Sequence, residues 1–493
     1  MIPVLLIIIP LLTGLAAFFI KNEKAVRSWA LVASLATFVV SLLGLTVLRD
    51  ANYLEHHGEW LSMIGSSIAL KLDGLGQVLC LLNALAFPII FIATQNTRYT
   101  KPNSFFGLML LSQAGMMGVF LAMDALLFYF FWELALIPVY FLCSRWGGER
   151  RIQVTFKFFV YTFLGSLLML VGILYIYAKT PDQSFSIESF YKAGSSLRTA
   201  NQSLMFWLFF LAFAIKIPIF PFHTWQPDTY EQSATPVTMV LSGVMVKMGV
   251  LGLIRWILPL VPIAAYSWGD VVSTMAVIGM IYASLIAIRQ DDMKRLVAYS
   301  SIAHMGLMVL AIFSENKLGM QGVMIQMFNH GINIIGLWIL IEVIERQYGT
   351  RKMSELGGLA QKAPAMAILF VIMALANIAL PLTNAFVGEF LMFSGIFGSA
   401  FTKFNIVFTV AAGVCIILAA IYTLNMVRKT FYGEGNARTL TGIDLSLNEK
   451  LSLGVIVVLI FWLGVYPQTV LNITSEISDQ ILKLADISHM LKK

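Results

Sequence analysis

The sequence predicts an all-α polytopic membrane protein, and three observations predict it. Of its 493 residues, 59% are hydrophobic and only 12% charged, whereas a soluble chain carries about a quarter charged residues. Mean hydropathy is +0.82. Apolar runs of about 20 residues, each enough to cross the hydrocarbon core as a helix, recur along the whole length, about fourteen in all.

In order, the predicted spans lie near 2–20, 26–48, 75–95, 104–122, 124–144, 155–178, 204–222 and 235–258. They continue near 268–288, 293–313, 319–343, 364–400 (long and interrupted), 405–431 and 450–471. The first run, "MIPVLLIIIPLLTGLAAFFI", has no basic n-region and no small-residue cleavage site. It reads as a retained helix rather than a signal peptide. Cys80, Cys143 and Cys415 are isolated in apolar sequence, with no C-x-x-C pair for a cluster, zinc or redox site, so they read as inert thiols.

Loop Lys and Arg give an orientation. With both termini outside, the inner loops hold Lys21/Lys24/Arg27, Arg145/Arg150/Arg151/Lys157 and Arg289/Lys294/Arg295. Arg346/Arg351/Lys352/Lys362 and Arg428/Lys429/Arg438/Lys450 fall on the same side. The net charge of +7 reflects this sidedness. It does not indicate nucleic acid, which needs a soluble basic face.

Against these spans stand six ionisable residues. Glu133, Lys216, Lys247, His304 and His330 lie about ten to twelve residues into their spans, near mid-membrane at about 1.5 Å per residue. Glu389 lies in the interrupted twelfth span. A charge on the lipid face there costs about 3 kcal/mol on insertion scales, so these groups should face protein or water. A lone intramembrane His also serves as a helix-binding hydrogen bonder. Two lysines and two glutamates with two histidines, on six different helices, form a chain instead.

The backbone points the same way. "FAIKIPIFPFHTWQPD" puts Pro218 and Pro221 just after Lys216, and each removes a helical donor and clashes one turn back, so the seventh span should break. Mid-membrane breaks survive only where buried or water-lined, and in transporters their ends serve ion sites. In "NIALPLTNAFVGEF", Pro381 and Asn384 interrupt the twelfth span before Glu389. Two breaks five helices apart suggest two inverted five-helix repeats, helices four to eight and nine to thirteen. The predicted domains are 1–102 (three N-terminal helices), 103–260 and 261–432 (one half-channel each), and 433–493 (inner loop, last helix and outer tail).

A lysine shielded from water loses proton affinity and a buried glutamate gains it, while each steadies the charge of the other. Histidines titrate near neutrality and suit relay through water. The residues thus supply a charge-gated proton wire. No G-x-G-x-x-G, P-loop or cluster cysteines supply redox chemistry, so no cofactor or metal is expected in this chain and energy comes from a partner or an ion gradient.

"FFWELALIPVYFL", "FKFFVYT", "AIKIPIFPFHTWQPD", "VMVKMGVLGLIR", "YSSIAHMG", "FNHGI" and "FVGEFL" resemble the antiporter-like proton-pumping subunits of respiratory complex I, NADH:quinone oxidoreductase. The likeness covers roughly residues 70 to 432 and is nearest to the subunit M type, the counterpart of mitochondrial subunit 4. It implies that Glu133 and Lys216 form the ion pair of the first half-channel and that Lys247 is the central relay. It further implies that His304 and His330 carry protons along the midplane and that Glu389 is the terminal acceptor. His223 would line the inner uptake route at the end of the broken seventh helix. The partners implied are antiporter-like neighbours of the L and N type in a bacterial inner membrane, with FMN, iron–sulfur clusters and quinone in other subunits. Relatives of those types, and multisubunit cation/proton antiporters of the same fold, carry lysine where this chain has Glu389, which argues against the antiporter alternative. A purely structural spacer is the other alternative.

The chain departs from the family at "TWQPDTYEQSAT", where Tyr230 replaces a histidine and Gln232 a glutamate, and at "LPLTNAFVGEF", where Leu382 and Ala385 replace glycines. Other polar features have plain readings. His56 and His57, with Glu55 and Glu59, sit in a solvated outer loop without tetrahedral spacing. Asp124 caps a helix, and Asp291/Asp292 with Lys294/Arg295 form an inner charge cluster. The 25 methionines are packing residues. The tail "SEISDQILKLADISHMLKK" has helical amphipathic spacing and should lie on the outer surface or against a neighbour.

Overall fold

The computed structural model of the chain describes residues 1–439 and 442–487. Its helices are α1 Ile2–Ala17, α2 Glu23–Thr46, α3 Gly74–Ala93, α4 Pro102–Leu121, α5 Ala125–Arg145, α6 Arg151–Tyr177, α7 Ile187–Ser195 and α8 Thr199–Lys216. They continue with α9 Trp225–Gln232, α10 Thr235–Leu260, α11 Pro262–Arg289, α12 Met293–Ile312 and α13 Lys317–Tyr348. The last are α14 Pro364–Asn377, α15 Asn384–Phe397, α16 Asn405–Phe431, α17 Leu447–Val465 and α18 Gln468–Ala485. Among the described residues, 11 helices are long and apolar enough to cross a bilayer, and α1, α14 and α15 are shorter apolar helices. This is a mostly helical integral membrane protein.

Burial sorts the helices into centre and rim. The apolar window of α10 is 100% buried, whereas those of α2, α16 and α17 are 33% buried. The rim helices turn Val32, Val39, Val410, Ile417 and Val458 outward, as a lipid-facing surface requires. Central packing relies on small residues. A Cβ on Gly322 would meet Gly388 O at 2.9 Å, and one on Gly395 would meet Gly319 N at 2.3 Å. Close backbone approach at such small residues is how membrane helices gain van der Waals contact without a hydrophobic drive. It holds α15, and with it Glu389, against α13.

Both expected breaks are present. Helix α8 ends at Lys216, and 217–224 run through turns with a cis Phe220–Pro221 bond before α9 begins. Between α14 and α15, residues 378–383 leave the helix, with Ala379 at φ 55° and Leu382 at φ 75°. Leu382 thus adopts a backbone conformation that L side chains disfavour. The central helix α10 holds a feature the sequence did not announce. Its turns at Leu241–Met245 and Leu253–Ile257 are π-helical, and Lys247 lies two residues past the end of the first. Single π turns of this kind recur at functional positions.

The expected loop around His56 and His57 is instead an antiparallel hairpin of β1 Glu55–Leu61 and β2 Ser66–Lys71, with Glu55 opposite Lys71. Lys71 Nζ lies 2.7 Å from Glu55 Oε1, and Gly65 turns the chain at φ 72°. Successive strand residues face opposite sides, so His56 and His57 point apart and do not form one ligand set. Asp124 caps α5 as expected, its Oδ1 accepting from the Leu126 and Leu127 N–H groups at 3.0 Å. The amphipathic tail helix α18 lies against its own chain: Lys317 Nζ is 2.7 Å from Asp479 Oδ2, and Gly74 packs directly on the backbone at Ile473. Residues 488–493 of that tail lie outside the described residues.

Candidate functional site

Lys247 is fully buried at the centre of the molecule. Its Nζ donates to Ser242 O at 2.7 Å, and it lies 2.9 Å from His330 Nδ1 on α13. The π turn supplies that carbonyl five residues back. The other ring nitrogen of His330, Nε2, lies 3.3 Å from Ser301 Oγ on α12. One turn further along α12, the His304 ring centroid is 5.6 Å from that of His330. His304 Nδ1 then sits 3.2 Å from Glu389 Oε1 on α15. Four of the six expected groups therefore form one continuous string across four helices, Lys247–His330–His304–Glu389. The two end links are direct contacts, the two histidine rings between them stand side by side without a hydrogen bond, and side chains of these three types can take up and release a proton.

The first half is arranged differently. Lys216 is 1% exposed at the C-terminal end of α8. Its Nζ has no hydrogen-bond partner and stands 5.5 Å from the Trp132 ring and 6.0 Å from the Phe158 ring. A cation over aromatic faces is held by the ring quadrupole at about 0.5–2 kcal/mol. Glu133 Oε1 is likewise buried without a partner. The expected Glu133–Lys216 ion pair is not in contact. The Lys216 ammonium turns to the Trp132 face instead, because helix rotation on packing, not sequence spacing, decides where a side chain on α8 points. Glu133 still acts on Lys216 across the gap, and Ser166 of α6 faces the same carboxyl.

His223 lies in the break after Lys216. It is buried, with Nδ1 unpartnered, 5.6 Å from the Phe220 ring and 5.3 Å from the Tyr282 ring. Tyr230 is fully buried with a free hydroxyl, its ring 6.1 Å from Trp338. A phenol there cannot titrate near neutrality as a histidine would.

Over this region lies a charge network that ties α9 to α12 and α13. Arg351 pairs with Glu231 and Glu345 at 3.1 Å each and also with Asp292. Arg295 reaches Glu231 at 2.7 Å and Asp228 at 3.1 Å, and Lys157 of α6 reaches Asp228 at 3.0 Å. Beside it opens a cavity of about 510 Å³ whose walls include Glu231, Gln232, Glu345 and Arg351. At the opposite end of α10, the buried Arg255 takes both Asp73 oxygens, at 2.8 and 2.7 Å, and donates to Phe120 O at 2.7 Å. The bidentate pair locks the second π turn to α3 and α4.

Sequence reasoning missed Ser242, Ser301 and the Arg255–Asp73 pair. Ser301 had a usable signal, since a hydroxyl in "YSSIAHMG" falls within one turn of His304. Ser242 had none, because its role is played by a main-chain carbonyl.

Fold and site together define an antiporter-like membrane subunit. The family model described as NADH:quinone oxidoreductase/Mrp antiporter, TM, matches residues 122–416, and the chain belongs to that family. Among its relatives, NADH-quinone oxidoreductase subunit M of Rickettsia conorii is 34% identical over 481 residues, 95% of this chain and 96% of that protein. Subunit M of Rhodobacter capsulatus is 36% identical over 467 residues, 92% of this chain and 89% of that protein. A chain of respiratory complex I from Thermus thermophilus with bound NADH superposes with a TM-score of 0.91 at 27% identity, covering 99% of this chain and 100% of that one.

Proposed function

We propose that the chain is the M-type proton-translocating subunit of an NADH:quinone oxidoreductase, moving protons along Lys247, His330, His304 and Glu389 while the redox chemistry runs in other subunits. The observation that carries this reading is the buried string from Lys247 Nζ to Glu389 Oε1, with links of 2.9 and 3.2 Å at its two ends. On this reading Glu133 Oε1, Lys216 Nζ, His223 Nδ1 and His304 Nε2, each buried without a protein hydrogen-bond partner, are the points at which water joins the relay. Lys216 loads from the inner side past His223, Glu133 sets its charge, and Lys247 passes the proton to the second half. The breaks after Lys216 and before Asn384 are the matching helices of two five-helix units.

Redox groups belong to partners on this reading. The three cysteines are buried on α3, α5 and α16. FMN, iron–sulfur clusters and quinone sit in other subunits, and the immediate neighbours are antiporter-like chains of the L and N type. Both termini face the outer side of a bacterial inner membrane, which places the Arg351–Glu231 network on the inner side. Purification in mild detergent tests the assignment. Co-elution with flavin and iron–sulfur proteins is expected; a small redox-free complex would make the chain a cation/proton antiporter subunit instead.

A further inference from the structure

A polar branch leaves the His304–Glu389 pair toward the charged inner end of the molecule. A cavity of about 30 Å³ is lined by His304, Glu389 and Tyr422, among mostly apolar neighbours. That is room for one water with polar partners on its wall. Tyr422 is 1% exposed, and its Oη donates to Ser300 Oγ at 3.0 Å. Asn377 Nδ2 donates to the same oxygen at 3.2 Å. With both lone pairs of Ser300 engaged, its own proton is left to donate elsewhere.

The direction of the branch follows from the helices. Ser300 precedes His304 by one turn on α12, about 6 Å, on the side where Asp292 caps that helix and pairs with Arg351. Asn377 ends α14, whose first turn is held by the Asp444 carboxylate at 3.0 Å from both the Ala365 and Met366 N–H groups. The residues after Asn377 leave the helix, so Ser300 is held at the break that precedes α15. Three different helices thus bring a phenol, a hydroxyl and an amide together in an otherwise apolar wall. Packing alone requires none of them.

We propose that Tyr422, Ser300 and Asn377 form a second uptake branch, loading the His304–Glu389 pair from the inner side without passing through Lys216. The proposal rests on the proton-translocating reading above. Hydroxyl groups rotate about their C–O bonds, so Ser300 gives its proton to Tyr422 Oη as Tyr422 gives its own to the cavity water. That water protonates the His304–Glu389 pair, and a proton from the inner side refills Ser300. No net charge stays on either hydroxyl. Tyr422 is the relay residue, and Asn377 holds Ser300 in place.

The test uses the assembled complex in inverted membrane vesicles, with NADH and quinone, across a pH series. Activity is normalised to NADH oxidation by an artificial acceptor. Tyr422→Phe removes one oxygen and keeps the ring packing. It and Ser300→Ala should each lower proton uptake severalfold, with the double variant no worse than either, since both interrupt one branch. Ser300→Thr keeps the hydroxyl and should retain most uptake. Slowed proton capture should also recover as the pH falls, which a packing defect would not. Glu389→Gln is run alongside. If it abolishes uptake while Tyr422→Phe pumps normally, the branch is overturned and the wider reading stands. If Glu389→Gln also pumps normally, the proton-translocating reading itself fails. Losses that multiply in the double variant overturn the branch as well. Should Tyr422→Phe fail to assemble, the Ser300→Ala and Ser300→Thr pair decides.

Discussion

Lys247 offers the sharpest test of the string, because its two contacts separate structure from proton transfer. In Lys247→Ala, Ser242 O and His330 Nδ1 lose partners now at 2.7 and 2.9 Å. Each buried polar group left unpaired costs about 1–3 kcal/mol, so the dry limit is about 2–6 kcal/mol. The space vacated admits water, which lowers that figure, and alanine is the best helix former, so α10 should persist. The loss in transfer is larger. A positioned proton carrier contributes about 10²–10⁴-fold, so transfer through this position should fall by about 100-fold or more. Lys247→Arg isolates the cause: it keeps the charge and donors but cannot give up its proton. Both variants should show normal NADH oxidation with an artificial acceptor, low quinone-coupled turnover and low proton uptake. Extraction in mild detergent checks that each variant is assembled. Normal uptake in assembled Lys247→Arg would refute the claim that Lys247 itself carries the proton.

Three other outcomes are expected. Glu133→Gln keeps shape but removes the charge acting on Lys216, so quinone-coupled turnover should stall while Glu133→Asp keeps part of it; Gln working as well as Glu would reduce Glu133 to a hydrogen bonder. In Gly464→Ala the new Cβ would stand 2.0 Å from Leu382 O, forcing α17 off the break at 378–383, so little assembled subunit should survive detergent extraction, and a normal yield contradicts that packing. Between α12 and α13, burial and then the neighbouring Asp486 push the Glu315 carboxyl up to about 8. Its folded-state value lies above the unfolded one of about 4.3, so its contribution to stability is full below that unfolded value and is lost as pH rises toward 8. Thermal inactivation of the solubilised complex should therefore become easier with rising pH through that window, and Glu315→Gln should flatten the trend.

The sequence alone determined the class of fold, the helices that carry intramembrane charge and the places where helices break. Those properties are local. Hydropathy over about 20 residues decides whether a segment crosses a bilayer, and Pro218 acts on the turn around it. Asp124 reads as a cap for the same reason, since its partners are the next N–H groups along the chain. The hairpin at Glu55–Lys71 escaped because its alternation is short and its two histidines invite a chemical reading. Only the tertiary structure decided which charges touch. Glu133 and Lys216 were expected in contact and are not, while Lys247 and His330, 83 residues apart, share a hydrogen bond. Ser300 joins Tyr422 and Asn377 from two other helices. Such contacts depend on how each helix is rotated and how deeply it is set against its neighbours. Small-residue packing such as Gly395 on Gly319 and the π turns of α10 fix both. Neither leaves a period in the sequence, because helix rotation is chosen by the sum of many contacts from distant segments, each too weak to mark its own residues.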